Sequence, residues 1–597
     1  MSIFIEKIRV RNFRSLRHVD ITLSPNITLL VGINNAGKTT FLRALGLALN
    51  MDRRFISHDD LFIDKNGHPL PEAERVITID VKIIPADNSN DFNDLWADIF
   101  GTDIISDAYG KYIFAFRTQI KFDHLSKEAQ IKRYVIRDWD NNIVDENTEI
   151  SANLSGIPFH FIDAQRDLQE DIQQRNSHFG RLAGKIDYDV EQRKKLEGAL
   201  SKLNEDAVAN SEVLSHLCTA LEELNRTVQI RGKGVEITPF PKKVRDLHKG
   251  MKVHFQDGGS DTFSLEYHGM GTRSWASLLA FKAKISWEAQ EKHDENEPFF
   301  PILGLEEPEA HLHPNAQRQV YRQLYEIKGQ KIISTHSPYI AALADLTEIR
   351  HFDKETDQTS VTRIRLDGDK DEKRKIERQV INTRGEILFA KIVILSEGET
   401  EEQVLPIFAT KHWDNIHPFE KGIVFIGCGG SNYKAFLSLL ESLKIKWVIF
   451  SDYDTKQVKS DVKSSGKHVG INDVESDNRF FLLGKPIEDY LIDNGYQDEM
   501  KDAIIRDEEP VYINQHHKNS KEPEWQILKN EIKSYTVDDL SRRVKKYKTK
   551  LAPMYAERIA NRTDDKNIPP KIRELFNVID AVIHPNKTIE VKNATFI

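Results

Sequence analysis

Gly32-Ile33-Asn34-Asn35-Ala36-Gly37-Lys38-Thr39-Thr40 limits what this chain can fold into more than any other stretch. An apolar run, ITLLVG, leads into it, and an apolar pattern from Phe41 to Leu49 leads out with helical spacing. Strand, glycine-rich turn and helix in that order is the setting in which G-x-x-x-x-G-K-[ST] folds as a P-loop. The glycines let backbone N–H groups close around phosphates, and the helix N-terminus adds its positive end. Lys38 is expected to meet the β- and γ-phosphates of ATP and Thr39 to hold its Mg²⁺. Asn34, Asn35, Gly37 and Thr40 complete the loop.

A second constraint is acidic. Ile392 to Leu395 reads as a buried strand that ends in Ser396-Glu397-Gly398-Glu399-Thr400-Glu401, with a helix starting near Glu402. Glu397 then stands at a strand's carboxyl end and Glu401 in the first helical turn. That edge is where open α/β sheets place their sites. Lys446 to Phe450 is another strand, ending in Ser451-Asp452-Tyr453-Asp454, and the period of two puts both aspartates on one face. Acidic groups at neighbouring strand ends repel unless a cation lies between them. Oxygen ligands without Cys or His point to Mg²⁺ or Mn²⁺.

Between these regions the motifs follow the order of an ABC-type ATPase head. Gly269-Met270-Gly271-Thr272-Arg273-Ser274 opens an apolar helix at the place of a signature motif, without the usual S-G-G core. PILGLEEPE, residues 301–309, is an apolar strand ending in acids, a Walker B pattern. Glu306 is expected to hold Mg²⁺ through water and Glu307 to polarise the attacking water. His311 and His313 follow in a D-loop position and read as polar loop residues rather than zinc ligands. The strand Lys331 to Ser334 runs into Thr335-His336-Ser337-Pro338, which sets His336 to touch a γ-phosphate. From about residue 191 to 228, leucines at 3/4 spacing predict helices, either a hairpin inside one subunit or a dimerisation arm.

The order of these parts resembles the overcoming-lysogenization-defect (OLD) family, an ABC-type ATPase head fused to a C-terminal Toprim nuclease domain. EEPEAHLHP, STHSP, the E-G-x-T-E box at Glu397–Glu401 and the Asp452/Asp454 pair are its most specific points. The resemblance implies an α/β chain with ATPase segments at 1–165 and 251–370. A helical insertion, a dimerisation element, occupies 166–250, a connector 371–390 and the Toprim domain 391–597. It also implies an ATP-regulated, divalent-metal-dependent DNA endonuclease acting in antiphage defence. Glu397, Glu401, Asp452 and Asp454 would hold two ions about 4 Å apart, with Glu488 and Asp489 carried over as the acidic pair that completes the set. A lysine near the metals is matched best by Lys550, with Lys548 as the other candidate. Because ABC heads complete their ATP sites in pairs, at least a homodimer is implied. Relatives of this type stand alone, beside a helicase, or with a retron.

Composition limits the alternatives. A net charge of −9 argues against a protein that coats DNA uniformly, yet local basic tracks remain open. The run Ser541 to Lys550, SRRVKKYKTK, is either a solvated face or a phosphate track. Two cysteines exclude a disulfide scaffold and a Cys-based zinc site. The opening MSIFIEKIRVRNF lacks a signal-peptide core, and no apolar run approaches the ~20 residues of a membrane span. A cytoplasmic location and no membrane partner are therefore expected. The competing reading is a RecF- or SMC-like clamp that binds DNA under ATP control without cutting it.

Overall fold

The computed structural model describes residues 3–583 apart from 51–55, 65–70, 72–73, 87–88, 108–109, 124–127, 165–188, 212–213, 215–238, 242–253, 256–262, 356–357, 366–369, 382–383 and 513–521. The chain forms two compact units, one of residues 1–93, 97–152 and 332–597, the other of 94–96 and 153–331.

In the first unit, strands that alternate at the edges and are buried on both faces at the centre, as Phe114, Ala115 and Phe116 are, build an antiparallel sheet. Its strands are β1 (Ile3–Phe13), β2 (Leu16–Thr22), β4 (Val76–Pro85), β5 (Tyr112–Phe122), β6 (Ala129–Asp138) and β7 (Ile143–Glu149), in the order β2-β1-β4-β5-β6-β7. β3 (Ile27–Gly32) differs: all its residues are buried, as a strand covered on both faces requires. It leads through the P-loop into α1 (Lys38–Asn50), whose Phe41, Leu42, Leu45 and Ala48 face the core.

The second unit holds β8 (Phe159–Ile162), α2 (Val190–Ala209), α3 (Met270–Asp294), β9 (Ile302–Glu306) and α4 (Pro314–Glu326). β9 runs parallel to β8, with Ile302 opposite Phe159. α2 begins on an Asp189 cap, and its Leu196 and Leu203 are exposed. The remaining leucines of the proposed arm, Leu217, Leu221 and Leu224, lie outside the described residues.

The chain then returns to the first unit. β10 (Ile349–Glu355) pairs parallel with β3, Phe352 opposite Gly32, and antiparallel with β11 (Gln358–Arg363). Next come β12 (Ile392–Ser396), α5 (Glu399–His412), β13 (Ile423–Gly427), α6 (Lys434–Leu443), β14 (Lys446–Ser451) and β15 (Phe480–Leu482). The four strands form a wholly parallel sheet in the order β13-β12-β14-β15. The continuous apolar runs IVIL, IVFI and WVIF suit such a sheet, covered on both faces. Helices α7 (Ile487–Asp493), α8 (Gln497–Tyr512), α9 (Val537–Lys546), α10 (Lys548–Ala560) and α11 (Pro570–Ile583) enclose one large core with α5. Residues 391–597 fall in the same compact unit as the P-loop.

Candidate active site

The P-loop glycine is fixed by its neighbour strand. Gly32 sits at φ +129, and a Cβ there would stand 2.0 Å from the Phe352 carbonyl oxygen, so only glycine lets β10 pair this close to the turn. Asn35 adopts a left-handed φ of 62, a conformation asparagine tolerates better than most residues. Lys38 Nζ donates to the carbonyls of Gly32 at 2.8 Å and Ile33 at 2.9 Å, which holds the ammonium inside the loop. Thr39 and Thr40 follow in the first turn of α1. His336 comes just after the buried strand Gln330–Ser334. Burial, then the nearby charge of Lys38, pushes its imidazole down to about 4, so it is neutral at physiological pH.

In the second unit, β9 ends at Glu306, and Glu307 turns the chain at φ 43. That left-handed conformation costs a glutamate of order 1–2 kcal/mol, the kind of local strain found at functional turns. Gly271, at the start of α3, packs against the D-loop segment: a Cβ would approach His311 O to 2.6 Å. His313 caps α4 through Nδ1, which accepts from Asn315 N–H.

The acidic residues gather at the carboxyl edge of the parallel sheet. Register puts Ser396 opposite Phe450 and Ser451 opposite Leu482, so the strands finish level. Glu397 Oε1 accepts from the Ser451 hydroxyl and from Asp452 N–H at 3.0 Å. Glu401, in the first turn of α5, accepts from Gly398 N–H at 2.9 Å. Glu488 opens α7, which follows β15, and is 3% exposed. The glycine turn after β13 closes against this edge: Gly430 N–H donates to Glu397 O, and a Cβ on Gly427 would stand 2.9 Å from Gly398 O.

The electrostatics of the group are those of crowded, buried carboxylates. Burial, then the charges of Glu401, Glu397, Glu488 and Asp454, pushes Asp452 up to about 9. Burial raises Glu401 to about 7, with Glu488 and Glu397 adding to it against two backbone hydrogen bonds. Burial raises Glu488 as well. Asp452 Oδ1 and Glu488 Oε1 are buried without a hydrogen-bond partner, each an expense of about 1–3 kcal/mol. Among the described residues no three such groups already converge tightly enough to cage an ion. Glu397 and Glu401 are turned onto protein donors instead. Unpartnered oxygens, raised acidities and an all-oxygen donor set nevertheless fit a hard divalent cation, which would replace the missing donors and remove the repulsion.

The other candidates lie around this group. Asp454 Oδ1 accepts from Thr455 N–H at 2.6 Å. Asp489 binds Ser541 and Lys545; burial works against it, but those two bonds hold its carboxyl below the usual range. Lys550 Nζ is tied to Asp507 at 2.7 Å and is largely exposed. Lys548, not Lys550, is the first of the lysines whose charge acts on Glu488. Sequence reasoning missed Ser451, which holds Glu397, and Tyr555. The Tyr555 hydroxyl is fully buried without a partner, and the charges acting on it are Glu488, Glu401 and Asp452. Its only sequence signal is a hydroxyl within the apolar stripe Leu551, Ala552, Ala556, Ile559 of α10.

A P-loop beside motifs of an ATPase head, joined to a parallel sheet with acidic strand ends, defines a P-loop ATPase fused to a Toprim domain. Residues 3–341 match the AAA ATPase domain family, and residues 388–454 match the overcoming lysogenization defect protein-like TOPRIM domain. The OLD nuclease of Thermus scotoductus is 25% identical, over 75% of this chain and 82% of its own length. Endonuclease GajA of Bacillus cereus VD045 is 22% identical, over 76% of this chain and 75% of its own length. Among solved structures, the C-terminal region of the Xanthomonas campestris OLD protein is 22% identical, with a TM-score of 0.25, covering 34% of this chain and 97% of that one. The chain belongs to the OLD family, and it is a nuclease with an ATPase head. Among the described residues no helix is long and apolar enough to cross a membrane.

Proposed function

We propose that the chain is a divalent-metal-dependent DNA endonuclease whose cutting is controlled by ATP. The observation that supports it most is Asp452, a carboxyl pushed up to about 9 among buried acids, with one oxygen lacking any donor. Divalent ions bound there would neutralise charge on the attacked phosphate and on its leaving oxygen. Asp452, Glu488, Glu401 and Asp454 supply the oxygen donors. Glu397 joins them from the Ser451 hydroxyl and the Asp452 amide, which orient it. Lys548 would offset negative charge there, a reading supported by its charge acting on Glu488, while Asp489 binds Lys545. On the head, Lys38 and Thr39 bind the nucleotide phosphates and their ion, His336 reads the γ-phosphate as a neutral donor, and Glu306 and Glu307 act on the ion and the attacking water. Heads of this kind work in pairs, so the active form is at least a homodimer. The relatives named OLD nuclease and endonuclease GajA support the DNA-cutting reading, and we extend it to defence against phage.

The deciding experiment is cleavage of supercoiled plasmid with Mg²⁺ or Mn²⁺ by wild type, Asp452→Ala and Lys38→Ala, each with and without ATP. Cleavage is expected to need the metal and Asp452, and its nucleotide response to need Lys38. Intact plasmid throughout, from folded protein that hydrolyses ATP, would replace this reading with that of a DNA-binding clamp.

A further inference from the structure

The basic run that sequence alone offers as a phosphate track is largely neutralised. Lys545 pairs with Asp489, Arg543 with Glu508 and Lys550 with Asp507. Unpaired cations gather elsewhere in the same unit, where β10 and β11 meet the end of α6. Two cavities lie there, of about 590 and 620 Å³, and both are lined by Lys444. The first is also lined by Arg363 and Arg365, the second by Lys354, Lys391 and Lys446. Among the described residues none of these six side chains forms an ion pair, and Arg363, Arg365, Lys391 and Lys444 are exposed. The acids in the walls are Asp20, Glu441 and Asp353; Asp20 faces Arg9 at 3.7 Å, and Glu441 accepts from the Trp447 indole at 2.8 Å. A positive surplus therefore remains along both cavities of a chain whose net charge is −9.

Like charges held together repel, as the carboxylates do at the other edge of the sheet, and a counter-charge relieves them. The arrangement tells what kind of anion fits. Each cavity carries several cations in its wall, more than a single phosphate needs. They line two cavities that share Lys444, which suits a chain of phosphates. Position supports a role in the reaction. Lys391 immediately precedes β12 and Lys446 opens β14, the strands whose far ends lead to Glu397 and Asp452. A strand of that length spans roughly 20 Å at ~3.3 Å per residue, about six nucleotide steps along DNA. Ile33, Asn34 and Asn35 of the P-loop form part of the second cavity's wall, so a strand lying there would run beside the nucleotide loop.

We propose that this groove holds the DNA backbone flanking the cut site, its phosphates lying along Arg363, Arg365, Lys444, Lys446, Lys391 and Lys354. The proposal rests on the nuclease reading for its substrate but is tested by binding alone. In an Asp452→Ala background, which keeps DNA intact, duplex binding is measured across a salt series with and without Lys391→Gln, Lys444→Asn and Lys446→Gln together. Asparagine is chosen at 444 because that residue adopts a left-handed φ of 55. Affinity at ~0.1 M salt should fall about tenfold or more, and the log–log salt slope should flatten by about 2–3, with ATP binding unchanged. Arg363→Gln with Arg365→Gln, two exposed residues at and just past the end of β11, should flatten the slope by about 2, and this pair decides if the lysine variant does not fold. Unchanged affinity and slope in folded variants, or a loss without a change of slope, would overturn the groove. A protein that never cuts, yet whose DNA binding follows these charges, would keep the groove and remove the nuclease reading. One that cuts while the variants bind normally would do the reverse.

Discussion

Asp452 and Tyr555 are two polar groups that the fold has buried without partners. For Asp452 the consequence is a dependence of stability on pH. Its carboxyl ionises near 3.8 when unfolded and at about 9 when folded. The metal-free protein is therefore not penalised below the unfolded value. As pH rises through this window the unfolded chain gives up its proton while the folded one keeps it, so stability drains away up to about 9. We expect the melting temperature of the metal-free protein to fall between pH 5 and 8.5. Asp452→Asn should remove part of that fall, and Mg²⁺ or Mn²⁺ should raise the wild-type melting temperature more at pH 8 than at pH 6, as scanning fluorimetry can measure. A flat profile that Asp452→Asn does not alter would remove the buried-carboxyl account. For Tyr555, leaving a hydroxyl unbonded in the core costs about 1–3 kcal/mol, so a ligand carboxylate that turns toward it regains a bond. Tyr555→Phe should weaken Mn²⁺ binding about three- to tenfold, a loss of order 1 kcal/mol, at unchanged or higher thermal stability. Titration calorimetry on nuclease without DNA reads this directly, and equal affinity would make Tyr555 a packing residue only.

At the scale of elements, α10 bears on which lysine would serve the proposed metal site. Its buried face, Leu551, Ala552, Tyr555, Ala556 and Ile559, packs in the core that it shares with α5, where Glu401 sits in the first turn. That fixes the rotation of its first turn, turning Lys550 to Asp507 on α8 and leaving Lys548 as the charge that acts on Glu488. Lys548→Ala is therefore expected to slow plasmid cleavage by about tenfold or more, and Lys550→Ala by less than about threefold. The reverse ranking would show that α10 reorients when DNA binds. Sequence could not make this choice, because a run with a lysine at every other position has no apolar period until the helix is under way. It could place Glu397, Glu401 and Asp452, because strand, turn and helix are coded within a dozen neighbouring residues by periods of two and 3.6. Glu307 and Asn35 were legible for the same reason, though their left-handed backbone was not. The partners of Asp489 and of the basic run were not legible, for the opposite reason. Their ion pairs join residues far apart in the chain, such as Arg543 with Glu508, and no local pattern encodes those.

At the scale of the molecule, the P-loop and the acidic sheet edge belong to one compact unit, linked by a short route of specific contacts. Gly32 touches Phe352 on β10, and the Thr359 hydroxyl on β11 donates to Ala36 O inside the loop at 2.9 Å. Further along β11, Thr362 Oγ1 donates to Leu443 O at 3.0 Å, and Ser442 Oγ donates to Arg365 O at 3.3 Å. α6 ends at Leu443, and the next strand, β14, runs straight to Ser451 and Asp452. A shift of the loop on binding nucleotide would act on backbone that β10 and β11 hold, and would then have a bonded path to the acids. A path of this kind is intermediate in space only, and it becomes a coupling when its removal changes the response. Thr362→Val with Ser442→Ala deletes both bonds to α6 at near-constant volume; both residues line the first cavity but carry no charge, and neither belongs to the P-loop or to the acidic edge. ATP binding and cleavage without nucleotide should stay within about twofold of wild type, while the ratio of cleavage with ATP to cleavage without it should move toward one, a loss of about 0.5–2 kcal/mol in coupling. An unchanged ratio would mean that nucleotide reaches the nuclease by pairing heads between subunits instead. A dimer-dependent response, read by titrating protein concentration, would then follow.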